Sequence, residues 1–172
     1  MADELIDLIN DTNEVVGKEM KSVVHQNGLP HRVSALLLQN AGGKYLIPTA
    51  SNIKVETGGL YHSAAGHVQA GESYLQCAVR ELQEELSLKV TEDQLQYLGS
   101  YWFEKTYPTR NEKERFEIFK VIHLPQLGTI KMNDEQVNEQ WLSEEELKHI
   151  YQEHPEKLSA NLMQSCQVIF KF

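Results

Sequence analysis

The sequence predicts an α/β fold in which helices cover both sides of a mixed sheet, an α/β/α sandwich. Segments that alternate apolar and polar residues, as strands do, are interspersed with segments of helical periodicity. One of the helices begins at a clear capping motif. The chain has 172 residues, of which 41% are hydrophobic, enough for one core but too few for two ordinary domains. We therefore expect a single domain over residues 1–172.

The predicted elements follow one another with turn signals between them. Residues 4–10 alternate like a strand and end in Asn-Asp-Thr-Asn, and residues 18–25 favour a short helix, so that residues 1–31 form an N-terminal unit. Further strands are expected at residues 32–39, 44–47, 60–65, 94–105, 115–124 and 137–142. Helices at 144–153, which Ser143 caps, and at about 155–165 make up a C-terminal segment, 143–172.

Two connections are candidate walls of a substrate site, since loops carry specificity. They are residues 51–59, which show little periodicity, and the polar stretch 106–114. The aromatic residues beside the second connection favour a place in the core, with stacking on a base or prenyl group as the alternative. These residues are Tyr101, Trp102, Phe103 and Tyr107.

Residues 66–88, GHVQAGESYLQCAVRELQEELSL, contain the most informative pattern in the chain. Ser73 and Gln76 form a capping-box pair, so a helix is expected from Ser73 to Leu86. At about 100° per residue, its apolar residues share a stripe that would pack on a sheet. The stripe contains Leu75, Ala78, Val79, Leu82 and Leu86.

Three carboxylates, Glu81, Glu84 and Glu85, lie on the face beside this stripe. Such pairs repel by a few tenths of a kcal/mol, and they lie in the helix half where the macrodipole disfavours anions. Converging carboxylates suit Mg²⁺ or Mn²⁺, which would relieve the repulsion. Three glutamates alone would more often form a solvated helix face.

The residues around the glutamates favour a site over a solvated face. Arg80 interrupts the acidic set, and we expect it to point away from the carboxylates and to form an ion pair with Glu72 at the helix entrance. The loop before the helix begins at Gly66 and ends at Gly71, which would let the Gly66 carbonyl approach a metal.

In this order the residues match G-x5-E-x7-R-E-U-x-E-E-x-G-U, where U is aliphatic, and the chain resembles the Nudix hydrolases. The resemblance implies an α/β/α sandwich with a loop-helix-loop catalytic motif at 66–88. It also implies Mg²⁺, with Mn²⁺ as an alternative, bound by Glu81, Glu84 and Glu85, and hydrolysis of a diphosphate linked to another moiety. Ser87 replaces the glycine of the pattern, which should cost about 1 kcal/mol or shift the helix end.

A narrower resemblance, over about residues 5–150, is to the Nudix branch that contains isopentenyl-diphosphate isomerase and its hydrolase relatives. It implies that His25, His31 and His67 form a second metal site, with Glu117 as one of its two carboxylates. The alternative is that they are ordinary structural histidines or contact the substrate. In an ungapped comparison Arg115 takes the place of the second carboxylate, and Glu114 could replace it only with a shift of register. Ala65 stands where the isomerase has its acid/base cysteine, and a methyl group transfers no proton, which favours hydrolysis.

Glu84 and Glu117 are the predicted catalytic carboxylates, Glu117 as a ligand or base. Glu135 and Glu139, which precede Trp141, are alternative bases or ordinary surface residues. Besides the hydrolase and the isomerase, a Nudix module that binds a ligand without turnover is a third hypothesis.

The net charge and the composition limit the classes of molecule to which the protein is expected to bind. A net charge of -9 argues against a general nucleic-acid surface, and no apolar run is long enough to cross a membrane. The amino terminus does not resemble a signal peptide, so we expect a cytoplasmic protein that acts on a small phosphate-containing substrate, with a homodimer left open. Cys77 and Cys166 are expected to be reduced thiols.

Overall fold

The computed structural model describes residues 3–52 and 58–172, and within them strands and helices are interspersed as predicted. The strands are β1 (Leu5–Ile9), β2 (Val15–Met20), β3 (His31–Gln39), β4 (Tyr45–Leu46), β5 (Thr49–Ala50), β6 (Ala64–His67), β7 (Gln96–Tyr107), β8 (Arg110–Ile122), β9 (Gln136–Val137) and β10 (Trp141–Leu142). The α-helices are α1 (Lys21–Asn27), α2 (Tyr74–Leu86), α3 (Glu144–Glu153) and α4 (Ala160–Phe170).

Strand β3 organises a mixed eight-stranded sheet. It pairs antiparallel with β6 through residues 33–36 and parallel with β8 through residues 31–39. Strand β7 pairs antiparallel with β8, while β1 and β4 pair with the two ends of β3. Strands β5 and β9 form a separate two-stranded sheet.

The sheet has an apolar core on each face because successive residues of β3 point to opposite sides. Leu38 packs with Leu82 of α2 on one face. Ala35 packs with Phe116 on the other, where Val168 of α4 covers it. This arrangement confirms the α/β/α sandwich. No helix in the described part of the chain has the length and apolar content to cross a lipid bilayer.

The N-terminal unit differs from the prediction. Strand β1 pairs with β2 in a hairpin, and the helix begins only at Lys21. The predicted helix at 18–25 therefore overlaps the end of β2. Val15 and Val16 are β-branched and favour a strand, and pairing with β1 extends that strand through Met20.

The predicted loop at 106–114 is wrong. Strand β7 continues to Tyr107 and β8 begins at Arg110, so that two residues connect them. The polar residues of this hairpin are not a sign of a loop, because Glu112 and Glu114 are buried and face the histidines described below. Of the other predicted wall, 51–59, residues 53–57 lie outside the described residues.

Smaller differences concern the C-terminal third. The strand predicted at 137–142 is two short strands, β9 and β10. The last helix begins later than predicted, because a 3-10 turn (Pro155–Lys157) precedes it and Ser159 caps it.

The aromatic residues beside the hairpin confirm the core interpretation in part. Tyr101 and Phe103 are buried around Phe116. Trp102 faces the other side of the sheet, where the Arg115 guanidinium lies 5.9 Å from its ring centroid.

Candidate functional site

Helix α2 carries the acidic residues and is fixed at both ends. The Ser73 hydroxyl accepts a hydrogen bond from the Gln76 amide (3.1 Å), and the Gln76 side chain accepts one from the Ser73 amide (2.9 Å). The predicted capping box is thereby confirmed. At the other end Ser87 takes the left-handed conformation, with φ of 58°. The helix thus ends where the pattern places its glycine.

Two of the three glutamates on α2 are buried. Glu81 is 8% and Glu85 2% exposed, whereas the Glu84 side chain is 55% exposed. Glu81 lies so close to the backbone of β6 that a Cβ on Gly66 would overlap its carboxylate. Burial raises the pKa of Glu81, and the neighbouring Arg80 opposes that shift. Gly66 is required here by this close approach.

Arg80 connects the acidic residues to one another. Its guanidinium donates to both carboxylate oxygens of Glu72, at 2.9 and 3.0 Å, which confirms the predicted ion pair, and to the His67 carbonyl at 3.0 Å. It also donates to Glu81 (2.5 Å) and Glu84 (3.2 Å). The expectation that Arg80 points away from the carboxylates is therefore wrong. The reason is that a buried carboxylate such as that of Glu81 needs a positive partner.

Glu85 is held from the other side by residues 131–136. The amides of Lys131 and Asn133 donate to the carbonyls of Leu86 and Glu85, at 3.0 and 2.9 Å. Nε2 of Gln136 donates to the Glu85 carboxylate at 2.7 Å. The segment therefore wraps around the C-terminal end of α2.

The alternative bases lie in different surroundings. The negative charge of Glu135 contributes, after burial and Glu84, to the raised pKa of Glu81, so Glu135 belongs to the acidic side of α2. Glu139 is exposed and accepts a hydrogen bond from the Trp141 indole at 2.9 Å.

Glu117 occupies another part of the sheet. It pairs in register with Ser34, whose hydroxyl donates to the Tyr74 carbonyl at the start of α2. Burial raises the pKa of Glu117, and Arg115 and Arg32 oppose that shift. Glu135, after Glu84, is one of the carboxylates whose negative charge raises the pKa of Glu81.

The three predicted histidines come together beneath the β3–β8 pair. Ring centroids of His25, His31 and His67 are 4.9 to 5.2 Å apart. With Glu114 they offer four ligand atoms that all lie within 4.8 Å of one another. Glu112 joins them, because its carboxylate is 3.0 Å from Nδ1 of His25.

Burial favours the neutral form of the His31 and His67 imidazoles. Burial lowers the pKa of His31 to about 4 and that of His67 well below its usual value. Burial and the nearby Glu112 carboxylate raise the pKa of Glu114 well above its usual value. The pKa of Glu112 is lowered to about 2, because hydrogen bonds from His25, Glu114 and Arg110 outweigh its burial. Neutral imidazole is the form that binds a metal.

Nε2 of His31 is buried and has no hydrogen-bond partner among the described residues, and Oε1 of Glu114 lies 3.5 Å from it. Nδ1 of His31 lies 2.8 Å from the Leu29 carbonyl, which makes it the N–H donor and leaves Nε2 as a lone-pair donor. The donor set of three imidazoles and a carboxylate is suited to Zn²⁺, Mn²⁺ or Fe²⁺. The residues therefore fit a metal ion.

The prediction that Glu117 is the carboxylate of this cluster is wrong, because Glu114 occupies that place. Glu114 pairs with His31 in the β3–β8 register, whereas Glu117 pairs with Ser34. Because a strand alternates its sides, Glu112 and Glu114 face the histidines and Glu117 faces α2. Glu114 therefore lies with the histidines in place of Glu117, and the spacing Glu112-x-Glu114 on one strand was the available signal in the sequence.

Both cysteines are free, as predicted, and both are buried. Burial raises the pKa of Cys166 to about 12 and also raises that of Cys77. Neither thiol is therefore a candidate nucleophile.

A family model described as NUDIX domain matches residues 29–162, a range that includes α2, the histidines of β3 and β6, and residues 131–136. The chain belongs to the NUDIX domain family. His31, His67 and Glu114 thus lie in the matched range together with the glutamates of α2, whereas His25 precedes that range.

Two relatives show which branches of the family are similar. An isopentenyl-diphosphate Delta-isomerase from Serratia proteamaculans is 32% identical over 107 residues, which are 62% of this chain and 58% of that protein. An uncharacterized Nudix hydrolase from Nostoc sp. is 35% identical over 98 residues, 56% of this chain and 58% of that protein. The chain spans about half the length of the curated relatives it matches.

Solved structures confirm the fold. DR0079 from Deinococcus radiodurans superimposes with a TM-score of 0.75 at 23% identity, over 97% of this chain and 99% of that one. A MutT protein from Methanosarcina mazei gives a TM-score of 0.65 at 20% identity, over 83% of this chain and 94% of that one. At these identities the likeness concerns the NUDIX fold alone.

Proposed function

We propose that this NUDIX protein is a divalent-metal-dependent hydrolase that cleaves a diphosphate linked to another moiety, of the nucleoside diphosphate-X kind. One observation carries the proposal: Glu81 and Glu85 are buried on the side of α2 that meets β6, and the Gly66 backbone approaches Glu81 more closely than any side chain would allow. A solvated acidic face has no need of such burial.

The donor set is suited to Mg²⁺ or Mn²⁺, because carboxylates and carbonyls are hard oxygen ligands. Glu81, Glu84, Glu85 and the Gly66 carbonyl would hold the ion. When bound, it would neutralise phosphate charge and lower the pKa of a water molecule. Arg80 and Glu72 keep the carboxylates oriented through the hydrogen bonds described above.

Water must be positioned and deprotonated by a carboxylate near the ions. Glu84 is exposed and reaches toward solvent from the same face, and Glu135 lies on the acidic side of α2. We assign Glu84 and Glu135 this role ahead of Glu117, whose neighbours are Arg32 and Arg115. Substituting Glu84, Glu117 and Glu135 each with glutamine ranks them: the base should lose the most turnover number with the least change in metal affinity.

A second candidate function is allylic isomerisation of a prenyl diphosphate. It is favoured by the histidine cluster and by the similarity to the isomerase from Serratia proteamaculans. It is disfavoured by Ala65, which supplies no proton donor on β6. Incubation with isopentenyl diphosphate in deuterated buffer separates the two, because isomerisation introduces deuterium and leaves the diphosphate intact.

The hydrolase is tested with a substrate panel in Mg²⁺ or Mn²⁺. The panel contains nucleoside diphosphate sugars, dinucleoside polyphosphates, nucleoside triphosphates, coenzyme A derivatives and prenyl diphosphates. Glu85→Gln should retain the fold and lose turnover by orders of magnitude, whereas Glu92→Gln, a control at an exposed position, should not. Equal turnover in the two variants would exclude Glu85 as a metal ligand, and affinity for a ligand without any turnover would indicate a binding module.

A further inference from the structure

Gln136 is the buried side chain of the segment 131–136, with 4% of its surface exposed. Its Nε2 donates to the Glu85 carboxylate at 2.7 Å and to the Ser63 carbonyl at 2.8 Å. Both partners are acceptors, so only the amide nitrogen can face them, which fixes the orientation of the amide. Its Oε1 is consequently buried without a hydrogen-bond partner in the described structure.

The position of Ser63 is fixed by hydrogen bonds of its own side chain. The Ser63 hydroxyl donates to the Leu46 carbonyl at 2.6 Å and accepts from the Leu38 amide at 2.7 Å, which ties this residue to β4 and β3. Ser63 directly precedes β6, the strand that carries Gly66. Gln136 therefore joins the end of α2 to the start of the strand on the other side of the acidic site.

The two buried glutamates of α2 are held in chemically different ways. Glu81 is paired with the Arg80 cation at 2.5 Å, whereas Glu85 receives a neutral amide donor. A cation competes with a metal for the charge of a carboxylate, and a neutral donor orients the carboxylate without cancelling its charge. The described donors to the Glu85 carboxylate are neutral, the Gln136 side chain at 2.7 Å and the Ala65 amide at 3.4 Å.

We propose that Gln136 is a positioning residue for the metal-binding site, which sets the angle and depth of the Glu85 carboxylate relative to β6. Its unpartnered Oε1 is the acceptor that it offers to a donor arriving with the ion, such as a metal-bound water. The assignment rests on the proposed function, in which Glu85 ligates the ion. Partners that orient metal ligands typically change metal affinity by about 10–100-fold when they are removed.

The test is the affinity for Mn²⁺ alone, measured by the electron paramagnetic resonance signal of the free ion without substrate. Gln136→Met keeps the length of the side chain but removes the donor, and it should weaken binding by about 10–100-fold. Gln83→Met, on the exposed side of α2, is the matched control and should bind like the wild type. Gln136→Asn keeps the amide but shortens its reach, so it should also weaken binding.

A double-mutant cycle distinguishes positioning from general loosening of the fold. If Gln136 acts through Glu85, Gln136→Met should have no further effect on Mn²⁺ affinity once Glu85 is glutamine. Equal losses in both backgrounds would overturn the inference, as would wild-type affinity in both Gln136 variants. Circular dichroism verifies that each variant is folded.

The same experiments distinguish failure of the positioning role from failure of the proposed hydrolase function. Weak Mn²⁺ binding by the Gln136 variants, in a protein that hydrolyses nothing in the panel, would support the positioning role and overturn the hydrolase. Turnover by the wild type together with unchanged Mn²⁺ affinity in the variants would do the reverse. A wild type that binds no Mn²⁺ would overturn both.

Discussion

Replacing Gly66 with alanine tests the packing of the acidic site with a single methyl group. An added Cβ would overlap the carboxylate carbon and one oxygen of Glu81 and come within 2.7 Å of the other oxygen. Glu81 is 8% exposed and is held by Arg80, so the carboxylate cannot simply swing into solvent. Overpacking of this kind costs about 1–3 kcal/mol.

Two measurements follow from Gly66→Ala. Its free energy of unfolding in urea should fall by about 1–3 kcal/mol, and its Mn²⁺ affinity should fall by about tenfold or more, because Glu81 must leave its position. Gly17→Ala on β2 is the matched control, since its Cβ would lie 3.8 Å from the Leu8 side chain, an ordinary contact. If Gly66→Ala unfolds and binds Mn²⁺ like Gly17→Ala, the described approach of Glu81 to β6 is wrong.

Three further predictions concern stability. Arg80→Ala should lower the free energy of unfolding by about 2–5 kcal/mol in urea, because it leaves the carboxylates of Glu72 and Glu81 without their cation; a loss below about 0.5 kcal/mol would show that these contacts are weak. The pKa of His31 is about 4 when folded and about 6.5 when unfolded, so its contribution is complete above pH 6.5 and lost as the pH falls toward 4. Urea unfolding in a metal chelator should show a loss of up to about 3 kcal/mol over that range for the wild type, with a smaller slope in His31→Gln, and equal slopes would contradict the shift. Ser87→Gly should stabilise the protein by about 0.5–1 kcal/mol, since relief of the left-handed strain at φ of 58° exceeds the entropy that glycine adds to the unfolded chain; a lower melting temperature would be the contrary result.

The sequence was sufficient to predict helix α2 and the position of the glutamates on it because that information is local. The capping pair Ser73 and Gln76 places the start of α2, and helical periodicity then fixes which side Glu81 and Glu85 share. The ion pair between Arg80 and Glu72 also follows from a short separation in the chain. Burial of these residues is a property of the fold, which periodicity alone does not give.

The contacts that the sequence did not reveal join distant segments. Glu114 reaches the histidines through the pairing of β3 with β8, a register that no local pattern determines. Gln136 meets Glu85 because residues 131–136 wrap around the end of α2, 51 residues further along the chain. Glu117 was placed with the histidines by the resemblance alone, but it lies an odd number of positions from Glu114, so its side chain points to the opposite face of the strand.

The hairpin of β7 and β8 shows that a polar composition alone does not identify a loop. Residues 106–114 are polar and were predicted as a loop, yet they continue the two strands. Polar side chains usually face solvent. Here Glu112 and Glu114 point inward to the three histidines, His25, His31 and His67. In this strand the polar residues face the interior, whereas in most strands the interior positions are apolar.

Hydrolysis in water enriched in oxygen-18 shows directly whether the protein transfers a water oxygen to phosphorus. Once the panel identifies a substrate, the account predicts one labelled oxygen per turnover in a phosphate product, with a rate that depends on Mg²⁺ or Mn²⁺ and falls by orders of magnitude in Glu85→Gln. Unlabelled phosphate products, or a product whose diphosphate stays intact while its carbon skeleton has rearranged, would contradict it.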